Sequence, residues 1–302
     1  MEKLIDLHIH TVCSDGVLTP KEVIDEALTN KVSTIAICDH DTIEAYNEEL
    51  FEYAKEKSIK LILGVEIGVE ISTKTKKCGI HVLGYNFDLN NKELREKLYN
   101  LRNARHIYLR NVAKKLEELG YKVAVDELDK IDAVTKAHIA NDVIGNKENE
   151  TKLKEVFGYV PQMGEFIETI MNEGCPAYVK KETITPKEAS SLIHKAGGKV
   201  ILAHPVAYSY EDNLTEEDIE KLVMEMQPDG IETNYIYIDR NDIKHNDIVR
   251  WNDFAKKHNL KTTIGSDFHK KDGIHPIIGL VGEDIALTED EVNQMIDFLL
   301  HN

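Results

Sequence analysis

No two of the four cysteines form a CxxC pair. Cys13, Cys38, Cys78 and Cys175 lie far apart along the chain, which argues against a zinc ribbon or a disulfide framework and fits a reducing cytosol. Long apolar runs are missing too. No stretch approaches the ~18 uninterrupted apolar residues of a membrane span. The opening MEKLIDLHIH has no basic start, apolar centre or small-residue cleavage site, so neither a signal peptide nor a membrane association is expected and the placement is cytoplasmic. Positive charge is scarce, with 37 Lys and Arg against 54 Asp and Glu, a net −17. Such a chain has no overall positive field to displace counterions from a polyanion, so stable binding of duplex nucleic acid is not expected. Attraction for a phosphorylated ligand must then be local, and bound cations are its natural source. Neither a GxSxG elbow nor a Cys–His signature is visible, which leaves nucleophilic serine or cysteine chemistry without support. GxxxxGK[ST] and GxGxxG are also lacking.

What is present is enough for a sizeable core: 42% of the 302 residues are hydrophobic, which suits one large domain or a domain with an insertion. Short β-type runs at 3–7, 33–38, 60–67, 79–83, 199–203, 230–233 and 261–264 alternate with helical patterns at 20–30, 42–57, 186–196, 215–226 and 241–258. Thr19-Pro20 and Thr185-Pro186 place proline at a first helical position. Alternation of this kind predicts parallel strands with helical crossovers, hence an α/β barrel or doubly wound sheet. Residues 91–183 differ, with helical periodicity, much charge and few strand-like runs; 94–119 alone reads as one long helix. We expect a helical insertion there. The only repeat is the local doublet GVEIGVEI at 64–71.

Histidines cluster at the predicted strand ends, beside carboxylates. Asp6-Leu7-His8-Ile9-His10 sets two imidazoles two residues apart, on one face of an extended chain. Asp15 follows in a turn, His40 closes the second strand, Glu66 the third, His81 lies in the fourth, and His204 ends the fifth. Asp267 and His269, in SDFH, end the last. An isolated strand-end histidine is more often a satisfied polar residue than a ligand. Six such ends in succession change that reading. In a parallel αβ barrel the C-terminal strand ends share one rim, and six imidazoles with three carboxylates gathered there suit two or three divalent metals, a carboxylate bridging where one is shared. The other seven histidines default to solvent or core, with His138 a possible exception.

The ordered set DLHIHTVCSDG, AICDHD, GVEI, HVLGY, AHP and GSDFH closely resembles the motifs of PHP-domain (polymerase and histidinol phosphatase) phosphoesterases, over residues 1–90 and 185–280. A helical insertion between HVLGY and GGKVILAHP resembles the subgroup of nucleoside 3′,5′-bisphosphate phosphatases and 5′-3′ short-RNA exonucleases. The resemblance implies a distorted (βα)7 barrel of residues 1–90 and 184–302, with 91–183 as a helical cap. It implies up to three metals, manganese, iron or zinc, with manganese favoured. By motif, His8, His10, Glu66 and Asp267 would hold one; Glu66, His81 and His204 a second; Asp15, His40 and His269 a third. Departures are specific. Leu63 stands where the family has proline, and the doubled GVE leaves Glu70 as runner-up to Glu66 for the bridging role. Arg102-Asn103-Ala104-Arg105 resembles the family's RNxR, and Thr135-Lys136-Ala137-His138 its TRxH, so Arg102, Arg105, Lys136 and His138 are the expected substrate contacts; lysine keeps the charge there but loses the bidentate fork. Arginines on a charged helix are also commonly a solvated face. After Gly230-Ile231-Glu232 the chain continues Thr233-Asn234-Tyr235, not the family's Tyr–Asn/His run.

The expected reaction is hydrolysis of a phosphate monoester of a nucleotide or short oligonucleotide 5′ end, with a metal-activated hydroxide and no side-chain nucleophile. Leaving-group protonation has no clear side-chain candidate; a metal ligand, Asp39 or Asp41 could serve. The alternatives are a histidinol-phosphate phosphatase on the same core and a non-catalytic metal-stabilised module. Amidohydrolases share the HxH barrel but not SDFH.

Overall fold

Helix starts are set locally. In a computed structural model, which describes residues 4–73, 77–131, 133–239, 241–279 and 287–301, Thr19, Thr135, Thr185, Thr215 and Thr288 each cap a helix through a reciprocal box with the residue three positions on. Each cap is worth about 1 kcal/mol. The predicted prolines sit at the first turns of α1 (Pro20–Thr29) and α8 (Pro186–Lys195).

Seven strands form one sheet. In chain order they are β1 (Leu4–Ile9), β2 (Val32–Ile37), β3 (Lys60–Ser72), β4 (Lys77–Tyr85), β5 (Lys199–Leu202), β6 (Gly230–Asn234) and, after a small hairpin of β7 (Tyr237–Ile238) and β8 (Lys244–His245), β9 (Lys261–Ile264). Sheet order follows chain order, β1-β2-β3-β4-β5-β6-β9. At one end the sheet's two edges meet: Ile9 bridges Phe268 in parallel and the His10 N–H donates to the Phe268 carbonyl at 2.9 Å. That contact curls the sheet toward a barrel.

The strands are mainly parallel, with one exception. β4 runs antiparallel to both β3 and β5. The physical cause is connection length: only four residues separate β3 from β4, whereas a parallel neighbour needs a crossover of a dozen or more. The GVEIGVEI doublet thus becomes one continuous strand. Glu66 lies within β3, not at its end.

Two helices begin later than their sequence pattern suggests. α2 (Glu48–Glu56) starts at the Asn47 cap, whose side chain accepts from the Leu50 N–H at 2.9 Å and satisfies a first-turn donor there. α11 (Ile248–Lys257) starts after the β7–β8 hairpin, which takes up residues read as helical. α9 (Pro205–Glu211), α10 (Glu216–Met226) and α12 (Glu289–Leu300) complete this part.

The chain divides into two compact units, Met1–Lys97 with Ile184–Asn302, and Leu98–Thr183. The first has a core of Leu7, Ala36, Ile62, Leu83, Ile201 and Ile264 on the sheet, closed by Val292, Ile296 and Leu299 of α12. The second is helical. It comprises most of α3 (Lys92–Glu118), then α4 (Val125–Leu128), α5 (Lys136–Gly145), α6 (Glu150–Phe157), α7 (Met163–Phe166) and a π-helical turn at Ile167–Met171. Leu109, Val112, Leu116, Ile139, Val143 and Phe166 form its separate core.

Candidate metal centre

The site is built around one buried carboxylate. Glu66, fully buried on β3, meets five imidazoles: His8 Nε2 at 3.5 Å, His10 Nε2 at 3.2 Å, His40 Nδ1 at 2.9 Å, His81 Nδ1 at 2.9 Å and His204 Nε2 at 3.2 Å. Asp15 lies 3.3 to 3.6 Å from ring nitrogens of His10, His40 and His269. Asp267 reaches His10 Nε2 at 3.1 Å and His8 Nε2 at 3.5 Å. All nine residues of the predicted cluster therefore fall in one connected set. Glu70, the runner-up, pairs instead with Lys77 at 3.1 Å.

Burial and charge compete here. Burial opposes ionisation of the Glu66 carboxyl, but the His81, His40 and His8 rings hold it well below the usual carboxylate range. Burial likewise opposes the His10 imidazolium, yet the adjoining Asp267 and Glu66 carboxylates push the ring up to about 10. The rings answer the carboxylates with protons, and divalent cations would replace those protons. Whether donors fit a cation is testable on their aim. His40 Nδ1 and Glu66 Oε2 are close, yet neither makes a hydrogen bond; Asp15 Oδ1 and His204 Nδ1 are buried without one as well. His8 Nε2 and His10 Nε2 converge to 3.2 Å. Three sets of donor atoms lie mutually within 4.8 Å: His10–Asp15–His40–His269, His8–His10–Glu66 and His40–Glu66–His81. Lone pairs aimed at shared points, not at one another, fit divalent ions.

Supporting residues hold this aim. Asp39, suggested by sequence as a proton donor, is committed elsewhere. Its oxygens accept from the Thr11 N–H at 2.7 Å, the Thr11 hydroxyl at 2.6 Å and the Ser14 hydroxyl at 2.6 Å. Asp41 accepts from the Gly68 N–H at 3.0 Å. Asp6 accepts from the Ser266 and Gly279 N–H groups at 3.0 and 2.8 Å, tying β1 to the turn that carries Asp267. Burial pushes its carboxyl up to about 6 against those bonds. Asp267 itself sits in left-handed backbone, φ 52°, a strained conformation of the kind found at functional sites.

Sequence reasoning missed Glu232. It is fully buried on β6, holds His8 Nδ1 with both oxygens at 3.2 Å and accepts from the His204 N–H at 3.0 Å. A glutamate inside an otherwise buried strand was the available signal. The carboxylate keeps the proton on Nδ1 and turns the Nε2 lone pair inward. Glu232→Gln should lower metal affinity by about 10- to 100-fold, read by titrating metal-free protein with manganese; an unchanged affinity would assign Glu232 to packing alone.

The four predicted substrate contacts lie in the second unit. Arg102 and Arg105 are buried on α3, and Arg105 donates to the Val134 carbonyl at 3.4 Å. Lys136 donates to Asn172 at 3.1 Å. His138 completes the α5 cap, its Nδ1 accepting the Thr135 N–H at 3.0 Å.

The chain is similar to known proteins. The PHP domain model matches residues 6–242. A 5′-3′ exoribonuclease from Haemophilus influenzae is 33% identical over 274 residues, 89% of this chain and 91% of that protein. A 3′,5′-nucleoside bisphosphate phosphatase from Chromobacterium violaceum is 28% identical over 290 residues, 95% and 92% of the two chains. Among solved structures, a Bifidobacterium adolescentis protein described as a candidate metal-dependent phosphoesterase superposes with a TM-score of 0.76 at 21% identity, covering 99% of this chain and 97% of that one. With the PHP domain model matched over residues 6–242 and a relative of 33% identity across most of its length, the chain belongs to the PHP domain family.

Proposed function

We propose that the chain hydrolyses phosphate monoesters of nucleotides, namely nucleoside 3′,5′-bisphosphates, 5′-nucleotides or short oligonucleotide 5′ ends, at two to three divalent cations, manganese first among them. The observation that carries this reading is Glu66: one buried carboxylate within 3.5 Å of five imidazoles, flanked by Asp15 and Asp267. His8, His10, Glu66 and Asp267 would hold one cation, Glu66, His81 and His204 a second, and Asp15, His40 and His269 a third. Bound there, the cations supply charge neutralisation for the phosphate and a water acidified toward neutral pH. The chain's own groups do the positioning. Glu232 orients His8, and the Tyr235 hydroxyl donates to Asp267 Oδ2 at 3.3 Å and steadies it. The nucleotide class is supported by the names of the two relatives. The reading gives substrate grip to Arg102, Arg105, Lys136 and His138, the cations being needed in a chain of net −17. Four free cysteines and the lack, among the described residues, of any helix long and apolar enough to cross a membrane accord with cytoplasmic placement.

The test pairs elemental analysis with phosphate release from a nucleoside 3′,5′-bisphosphate, a 5′-nucleotide, a short 5′-phosphorylated RNA and histidinol phosphate. Two to three metals per chain are expected, with at least one nucleotide substrate turned over about tenfold or more faster than histidinol phosphate. Fewer than one metal per chain in active protein, or a preference for histidinol phosphate, would overturn it.

A further inference from the structure

Two elements leave the candidate metal centre directly and meet again beside it. α9 starts from His204, and its Tyr208 hydroxyl accepts the His81 N–H at 2.8 Å. The β7–β8 hairpin follows Tyr235, whose hydroxyl touches Asp267. Where they meet, three rings pack nearly parallel. Tyr210 lies on His245 with centroids 3.7 Å apart and planes 26° from parallel. Tyr237 and His245 are cross-strand partners, 5.8 Å apart and 20° from parallel, and Tyr210 is 6.4 Å from Tyr237, also at 20°. Those three distances set Tyr237 beside His245, not beyond it, so Tyr210 forms a raised step on a two-ring floor.

Each ring is pinned at its polar edge. The Tyr237 hydroxyl donates to Glu211 at 2.9 Å, the His245 Nε2 faces Asp239 at 3.0 Å, and the Tyr210 hydroxyl donates to Asp247 at 3.3 Å. A ring serving only as packing under a hairpin would be covered, yet Tyr210 keeps 43% of its surface exposed. A surface cavity lined by Tyr210, Leu214 and Arg250 opens on it. Tyr210 is six positions on from His204 along α9, an axial rise of about 9 Å at 1.5 Å per residue, within the span of a mono- or dinucleotide.

We propose that Tyr210, with His245 and Tyr237 behind it, is a stacking platform for the nucleobase of a ligand whose phosphate sits at the metal centre. A fixed, flat, partly open ring near a phosphate site suits a base because every base has a π-face. This inference rests on the nucleotide reading above and adds the residues that would favour a base over a bare sugar phosphate.

The experiment measures, by calorimetry on manganese-replete protein, the affinity for the unhydrolysable 5′-phosphonate analogue of adenosine 5′-monophosphate relative to the same analogue of ribose 5-phosphate, which lacks the base. Stacking on one ring is worth roughly five- to 150-fold in affinity. A base advantage of about tenfold is expected in the wild type, reduced to near unity in Tyr210→Ala and restored in Tyr210→Phe, which keeps the ring. No base advantage in the wild type, or one that survives Tyr210→Ala, would overturn the platform. Loss in both Tyr210→Ala and Tyr210→Phe would also overturn it, since the hydroxyl and not the ring would then be responsible. Phosphate release reports separately: a base advantage that depends on Tyr210, without turnover of any nucleotide, would leave the platform standing and remove the hydrolase reading.

Discussion

Glu66→Gln is expected to reduce phosphate release by on the order of 10³-fold or more and to leave the purified protein with fewer bound metals. The side chain keeps its shape, so the core around it should survive. What goes is the negative charge on which five imidazoles converge. Without it, cations in neighbouring positions would repel each other with no shared anion between them. Glu70→Gln is the comparison. It lies four residues along the same strand but pairs with Lys77, one-third exposed, and its loss should cost no more than a few fold. Metal content by elemental analysis and steady-state rates on one nucleotide substrate decide the matter. If Glu70→Gln stops turnover and Glu66→Gln does not, the cluster is centred on the wrong carboxylate.

Gly265→Ala should damage both the fold and the site, although it adds a single methyl group. A Cβ at position 265 would stand 2.2 Å from the His8 Cβ and 2.4 Å from Glu232 Oε1. The first of these is a fixed stem, not the end of a flexible chain, so β1 and the turn before Asp267 must move apart. Overpacking of this kind costs about 1–3 kcal/mol, a drop of several degrees in Tm. A displacement near 1 Å at the ligands costs on the order of 10²-fold in rate. Gly145→Ala is the control, because an added Cβ there meets nothing within 4 Å and the site is helical; it should be neutral or slightly stabilising. Unchanged melting and turnover in Gly265→Ala would mean that β1 and the Asp267 turn yield freely.

Much of the candidate site was legible because most of its parts are short contiguous motifs at or near strand termini, although Glu66 and His81 lie inside β3 and β4. HIH, CDHD, AHP and SDFH can be seen without knowing how strands pair. Threonine caps and first-turn prolines were legible for the same local reason. What escaped depends on partners distant in sequence or on connection length. The direction of β4 follows from a four-residue link. Residues 241–245, the second half of the small hairpin, looked helical because its two-residue strands are too short to show alternation. Glu232 looked like an ordinary strand residue until His8, 224 residues away, faced it. Asp39 looked available until Thr11 and Ser14 took its oxygens.

The antiparallel placement of β4 also shapes the order in which the sheet can be completed. β1 to β4 are contiguous in the chain, and β3 and β4 can zip as a local hairpin. The other edge of β4 pairs with β5, Tyr85 against Lys199, across the whole helical unit. At ~5–20 residues per second of synthesis, that edge stays open for on the order of ten seconds. During that interval β4 offers another nascent chain a row of unpaired N–H and C=O groups flanked by Val82, Leu83 and Tyr85, the kind of edge that recruits wrong partners. A slow stretch of translation within 98–183 would lengthen the exposure and lower the yield of folded protein, while every residue of the finished molecule stayed the same.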